Sequence, residues 1–453
     1  MPPIKLNRRQ LTDEALYDAN FALAMVIQTL FVLANCLMAH YNRWITFLGG
    51  DVTSVGFIMG VGPIVGLLMR PWIGQLINRW GAKTIWCSGI VIFAISALAN
   101  LLVTNLGWPV YVLRSGLVLG SAVVFASSLT YITQVYPRSR RTEAIGTLGA
   151  SGFMGMILGP FLGDLAVGDG NPSRADFVVL FAAAAATVVL PAILLVLLRS
   201  PQSYEVVKPV SLTDFAKTVR SHFPGAIVFV LLAFGLSMTA PFAFLATYVD
   251  DAHLHIEGVS MVGLYFWCYA GLGLAVRLSF RRAPERWGRR KVLLTGMTLI
   301  AAGMFCYGLV HETTSWMLII PALICGVGHA FVFHTMSALA LESFPHEVRG
   351  TGSAFTLMMM DVGFIGGAPL LGMIAHQAGY DWMFATIGLT CAISTAIYAW
   401  SSIPIWRARA QQHHASHTGT HAGSAEKPSP YVSQEQGEVL KTTDETGLKH
   451  NAP

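Results

Sequence analysis

Long apolar runs broken by short polar stretches set the pattern of this chain. A helix rising ~1.5 Å per residue needs roughly 20 mostly apolar residues to cross the ~30 Å hydrocarbon core of a bilayer. Runs of that length lie at 20–41, 53–76, 84–104, 108–135, 143–167 and 175–198. Six more lie at 224–249, 259–280, 291–310, 315–342, 351–376 and 381–404. The pattern predicts an all-α integral membrane protein with twelve transmembrane helices. A polar, basic stretch divides them into two sets. The expected domains are therefore an N-terminal cytoplasmic segment (1–19), a six-helix bundle (20–198), a cytoplasmic linker (199–222), a second six-helix bundle (223–404) and a polar tail (405–453). The tail is rich in Gly, Ser, His and Pro, a composition that predicts disorder.

Composition agrees. Hydrophobic residues make up 54% and charged residues 12%, about half the ~25% charged content of soluble domains. The mean hydropathy of +0.57 points to lipid as the solvent and excludes a soluble globular enzyme. The first apolar run is too long for the core of a signal peptide, so it reads as a retained span. Six cysteines fall inside apolar runs without CxxC spacing and read as small buried hydrophobes.

Charge then sets the orientation. The net charge of +5 reflects basic loops on one side of the membrane rather than binding to nucleic acid. With the N-terminus inside, the cytoplasmic loops receive Arg79, Lys83, Arg138, Arg140, Arg141, the stretch from Arg199 to Arg220, and the cluster from Arg281 to Lys291. The opposite loops hold only Arg43 and Arg174. By the positive-inside rule both termini are cytoplasmic, in a cell (inner) membrane.

The chain also repeats itself. "INRWGAKTIW" at 77–86 and "PERWGRRKVL" at 284–293 share an Arg-Trp-Gly turn, with Gly81 and Gly288 spaced by 207. Tyr41 and Tyr248, Val55-Gly56 and Val262-Gly263, and Arg70 and Arg277 keep the spacing of 207. Pro137 and Pro345 are spaced by 208, and "GPFLG" (159–163) and "APLLG" (368–372) by 209. The second bundle is therefore a copy of the first. Parallel halves with a substrate site between them near the midplane mark one group of secondary transporters.

On these features residues 15–405 resemble the major facilitator superfamily. That family carries a Gly-x-Leu-x-Asp-Arg-x-Gly-Arg-Lys loop after its second helix. Gly74, Leu76, Arg79, Gly81 and Lys83 match, with Asn78 in place of the Asp. The second copy has Glu285, Arg286, Gly288, Arg289 and Arg290, but Arg281 and Ala283 in place of the leading Gly and Leu. The resemblance implies a gating loop in which an acid latches the inner side. Plain positive-inside anchoring is the other reading of the basic residues. The family's fourth-helix pattern of Arg, glycines and a closing Pro is met by Arg114, Gly120 and Pro137, with Val118 for one Gly. "GMILGPFLG" (155–163) supplies Gly155, Gly159, Pro160 and Gly163 in the spacing that the family associates with antiporters. Such glycines let backbones approach closely, and Pro160 is expected to kink the helix at the seam between the halves.

Asp361 and His329 lie near the middle of their spans, at depths where they could meet. A carboxylate is costly to bury charged, and an imidazole exchanges protons near neutral pH, so both are candidates for proton coupling. A static hydrogen-bonded pair, or a His facing an aromatic wall, is the alternative. Arg114 is either a cavity residue or a cation reaching back to the membrane surface. Gln28 and Asn35, seven apart and so on one helix face, are candidate cavity polar groups. His334 reads as structural. "DDAHLHIEG" (250–258) and "HHASHTGTH" (413–421) read as solvated loop and low-complexity tail rather than metal sites. No P-loop, nucleophile elbow or zincin motif is present, so neither ATP-driven transport nor hydrolysis is expected. The expectation is a monomeric, cofactor-free secondary transporter whose partners are a small-molecule substrate, protons and the bilayer. It resembles the drug or small-molecule:proton antiporters. Proton-linked uptake of a sugar, organic acid or metal-chelate is an alternative, and so is a non-transporting receptor on a transporter fold.

Overall fold

The computed structural model describes residues 18–136, 144, 147–168, 172–199, 212–280, 283–345 and 348–403, with backbone alone at 71, 78, 133, 150, 212, 285, 334, 349 and 350. Residues 1–17, the tail, residues 200–211 of the linker, Pro137, and the side chains of Asn78, Glu285 and His334 lie outside the described residues.

Fifteen α-helices account for almost all of it. The first half holds α1 (Ala19–Leu37), α2 (Tyr41–Phe47), α3 (Val52–Trp80), α4 (Ala82–Ala99), α5 (Trp108–Val135), α6 (Ala150–Val167) and α7 (Arg174–Leu197). Then come α8 (Leu212–Ser221), α9 (Ile227–Ser237), α10 (Leu245–Asp251), α11 (Met261–Ser279), α12 (Arg289–Cys306), α13 (Ile319–Leu341), α14 (Arg349–Ala378) and α15 (Tyr380–Ser401). Among the described residues eleven continuous helical spans are long and apolar enough to cross a membrane, and Ser151–Val167 is a shorter apolar helix in the place of the expected fifth span. The sequence boundary of the first span is too short: helix continues through the 3-10 turn Met38–His40 to Phe47. That extension carries Arg43 into the protein.

Helix is forced here because lipid offers backbone N–H and C=O groups no partners. Asp18, Asp51 and Ser260 cap α1, α3 and α11 through side-chain acceptors. Gly81 (φ +85) and Gly288 (φ +88) end the two Arg-Trp-Gly turns in the left-handed region. A methyl on Gly288 would meet nothing within 4 Å, so backbone conformation, not crowding, calls for glycine there. The duplicated motif thus forms the same turn twice.

The described residues up to Trp400 belong to one compact unit, and of the second unit (Ser401–Pro453) only 401–403 are described. Within the first half α1 packs on α6 and α7, and α4 on α5 and α7. Within the second, α9 packs on α14, and α13 on α11 and α12. The halves meet along two long contacts, α3 with α14 and α6 with α11. In the linker, α8 lays Phe215 and Val219 against Val228, Phe344 and Phe355.

Candidate functional site

A cavity of about 290 Å³ opens between α3, α5, α9 and α14, and its wall includes Arg70, Arg114, Ser121, Phe125, Met238 and Asp361. A second space of about 190 Å³ shares Arg114, Val118 and Ser121 with it and adds Asn35, Pro160 and Phe242. Arg70 Nη2 donates to Asp361 Oδ2 at 2.5 Å, joining α3 of one half to α14 of the other. Arg70 lies ten residues before the end of α3 and Asp361 twelve after the start of α14, so both sit roughly 15–18 Å from the end of the bundle bearing the Arg-Trp-Gly turns. The two side chains are 35% and 29% exposed, so the pair borders the cavity space.

Arg114 enters the cavity from α5. Its guanidinium lies over the Tyr41 ring, 5.1 Å from the centroid, and its Nε is buried without a hydrogen-bond partner. Tyr41 is fixed in turn by donating its hydroxyl to Asn100 Oδ1 and the Val110 carbonyl. Asn35 Oδ1 accepts from Ser121 Oγ at 2.7 Å in the same wall. Gln28, from the same face of α1, is buried, and its Oε1 has no partner.

His329 and Asp361 have different partners. His329 Nδ1 is 2.5 Å from the Tyr269 hydroxyl, and the ring sits among Phe153, Phe234 and Phe333. This is the aromatic wall, so the expected meeting of the two residues gives way to Arg70–Asp361. Arg70 was marked in the sequence only as a repeat landmark. Its counterpart Arg277 lies over the Phe153 ring at 5.2 Å, and Phe153 is within one residue of the position that answers to Asp361.

At the opposite end of the bundle the structure assembles a network that hydropathy had divided between loops and spans. Arg43 donates from Nε and Nη2 to Asp250 at 2.7 and 2.6 Å, and from Nη1 to Asp164 at 2.5 Å. The other oxygen of Asp164 accepts from Ser260 Oγ and from the backbone N–H groups of Val262 and Gly263. His40 completes the network. Arginine has only donors, so His40 Nδ1 accepts from Arg43 Nη1 while Nε2–H donates to the Pro160 carbonyl, which defines the neutral Nε2–H tautomer. Asp250 is thus not part of a solvated loop, and Arg43 is buried. Both are corrections to the reading from hydropathy. The available signal was the repeat: Arg43 and Asp250 stand 207 apart.

The glycine motif also needs a correction. A methyl on Gly155 would strike Val32, one on Gly159 would reach Cys36, and one on Gly163 would overlap the His40 ring. The stripe therefore packs α6 on α1 within its own half, not at the seam between halves. The seam side of α6 is carried by Phe161 against Gly263 and by Phe153 against Gly273. Pro160 is inside the helix and leaves its carbonyl facing His40.

In the paired basic loops, Lys83 Nζ donates to the Leu198 carbonyl at 2.6 Å and Arg290 Nη2 to the Ala399 carbonyl at 2.7 Å. These equivalent residues satisfy carbonyls at the last turn of the sixth span of each half. Arg289 pairs with Glu342 at 2.9 Å, and Arg79 lies over Trp80. Gly74 faces open space and Arg286 is exposed. The side chains of Asn78 and of Glu285, the one latch acid of the paired loops, are not described.

A two-half helical bundle spanning a membrane, with a charged cavity between the halves, is the architecture of a membrane transporter. The model of the Major Facilitator Superfamily matches residues 19–284 and 282–433, and the chain belongs to that superfamily. It is 26% identical over 398 residues to the multidrug resistance protein MdtG of Citrobacter koseri, covering 86% of this chain and 92% of that protein. It is 24% identical over 392 residues to YuxJ of Bacillus subtilis, an uncharacterized transporter of the same type, covering 85% and 92%. Among solved structures, a POT family transporter in complex with 5-aminolevulinic acid aligns with a TM-score of 0.72 at 13% identity, over 85% of this chain and 96% of that one. The nucleoside transporter NupG aligns with a TM-score of 0.67 at 15% identity, over 83% and 98%. At these identities the structural neighbours show the fold alone, the major facilitator fold.

Proposed function

We propose that this transporter exports a small organic compound across the inner membrane in exchange for protons, by alternating access, as a monomer with both termini cytoplasmic. The observation that carries the reading is the Arg70–Asp361 pair, a carboxylate in the cavity wall tied to a cation on the other half. While Asp361 is charged, the pair draws α3 and α14 together. A proton on Asp361 cancels the charge that Arg70 holds, and the two helices are released to move. The outer network of Arg43, Asp164 and Asp250 is the closure at the other end. Alternating access follows if one closure opens only while the other holds. Arg114, Ser121 and Asn35 then supply the polar contacts for cargo, and apolar rings supply the rest of the wall.

Export rather than uptake is favoured by the Gly155–Gly163 motif and by the multidrug resistance relatives. The test is transport in inside-out vesicles or oriented proteoliposomes with an imposed pH gradient. An acid interior should drive accumulation of cargo, with alkalinisation of the lumen as protons leave. Accumulation driven by an acid exterior would establish proton-linked uptake instead. Flux indifferent to the gradient would end the coupling proposal.

A further inference from the structure

Cations outnumber acids along the space between the halves. Arg70 is answered by Asp361. Arg114 is answered, among the described residues, only by the Tyr41 ring. Arg277, nearer the Arg-Trp-Gly end, is answered, among the described residues, only by the Phe153 ring. Among the described residues Asp361 is the sole acid in the wall of the larger of these two spaces, and the smaller one has none. Arg114 borders both spaces, and its Nε is buried without a hydrogen bond.

A guanidinium does not escape this situation by losing its proton. Stacking on Tyr41 offsets part of the desolvation but leaves the in-plane N–H donors without acceptors. Those donors form a planar fork that fits two oxygens of one anionic group. Around them the wall is apolar, with Val118, Phe125, Met238 and Phe364. A cationic cargo would meet an unanswered cation. A neutral one would leave it unanswered.

We propose that the cavity binds a monovalent organic anion with an apolar body, the anionic group held by Arg114 and the body lying against Phe125 and Phe364. This deepens the transport reading by naming the chemistry of the cargo, and it rests on that reading only for the location of the site. Ser121 Oγ, already turned toward Asn35, is the second polar group at the anionic end.

The test uses three probes sharing one body: phenylbutyrate, its neutral amide and the corresponding phenylbutylamine. Binding to the purified full-length protein in detergent is read by calorimetry. A charge-assisted fork should favour the carboxylate over the amide roughly ten- to hundredfold, with the amine weakest. Arg114→Gln should bring phenylbutyrate down to the level of the amide, and Arg114→Lys should keep part of the preference. If the Arg114 variants do not fold, the charge series on the unaltered protein still decides. Phe125→Ala should then weaken all three probes by a similar factor. Equal or tighter binding of the amide or amine overturns the proposal, as does a carboxylate preference that survives Arg114→Gln, or no binding by any probe. Anion binding without gradient-driven flux would leave this inference standing and remove the export reading. Gradient-driven flux of the amine without anion preference would do the reverse.

Discussion

Arg43 and Asp250 hold the same place in the two halves of the sequence, 207 residues apart, and meet in a two-point ion pair at 2.7 and 2.6 Å. Each half contributes one partner at its own copy of the position. The pseudo-twofold relation therefore brings the equivalent points face to face, where opposite charges lock and like charges would repel.

Removing Arg43 should loosen this end. Its side chain and that of Asp164 are 5% and 3% exposed, and loss of one partner from a buried pair costs about 3–5 kcal/mol. Arg43→Met should lower thermal stability in detergent. In a cysteine-free background, a cysteine at Phe242, which lines the smaller cavity, should react several-fold faster with an impermeant maleimide applied outside. Unchanged reactivity and stability would mean that the network closes nothing.

Asp361→Asn should abolish gradient-driven transport and spare downhill exchange. The amide keeps the shape and an acceptor for Arg70 but cannot take up and release a proton. Loss of both modes together, or of expression, would make Asp361 a structural partner of Arg70 only. Full gradient-driven transport would remove it from the mechanism.

Along α6, tolerance to added bulk should follow the face that meets α1. Gly163→Ala forces a methyl into the His40 ring, and Gly159→Leu drives a side chain into Cys36; overpacking of this kind costs about 1–3 kcal/mol or more. Both should lose most flux with protein still in the membrane. Gly152→Ala meets nothing within 4 Å and should transport normally. Equal tolerance at all three positions would contradict the packing.

The orientation is testable directly. In a cysteine-free background, Leu106→Cys should label only from outside and Thr418→Cys only from inside. The opposite result at either position would invert the topology.

The spans were legible because hydrocarbon leaves the backbone a single local solution, so an apolar run of sufficient length reads as helix. The duplicated turns were legible because glycine at positive φ leaves a mark in sequence. The ionic network was not, for a physical reason. Arg43 and Asp250 sit at the ends of apolar runs, where hydropathy treats any charge as loop, and the pairing depends on how distant helices cross. Periodicity likewise announced a close backbone approach at Gly155, Gly159 and Gly163 without naming the helix approached. Depth alone placed His329 beside Asp361; a set of aromatic rings and the Tyr269 hydroxyl hold it elsewhere.

The two long contacts between the halves differ in one detail. On α3 and α14, arginine faces a carboxylate; on α11 and α6, the equivalent arginine faces a benzene ring. A carboxylate can be switched off by a proton and a ring cannot. The repeat supplies two matching contacts, and of these pairs only the one with the carboxylate offers a proton a place to bind. Direction would then come from the gradients across the membrane, and the asymmetry between two halves of one blueprint would fix only the seam at which a proton can act.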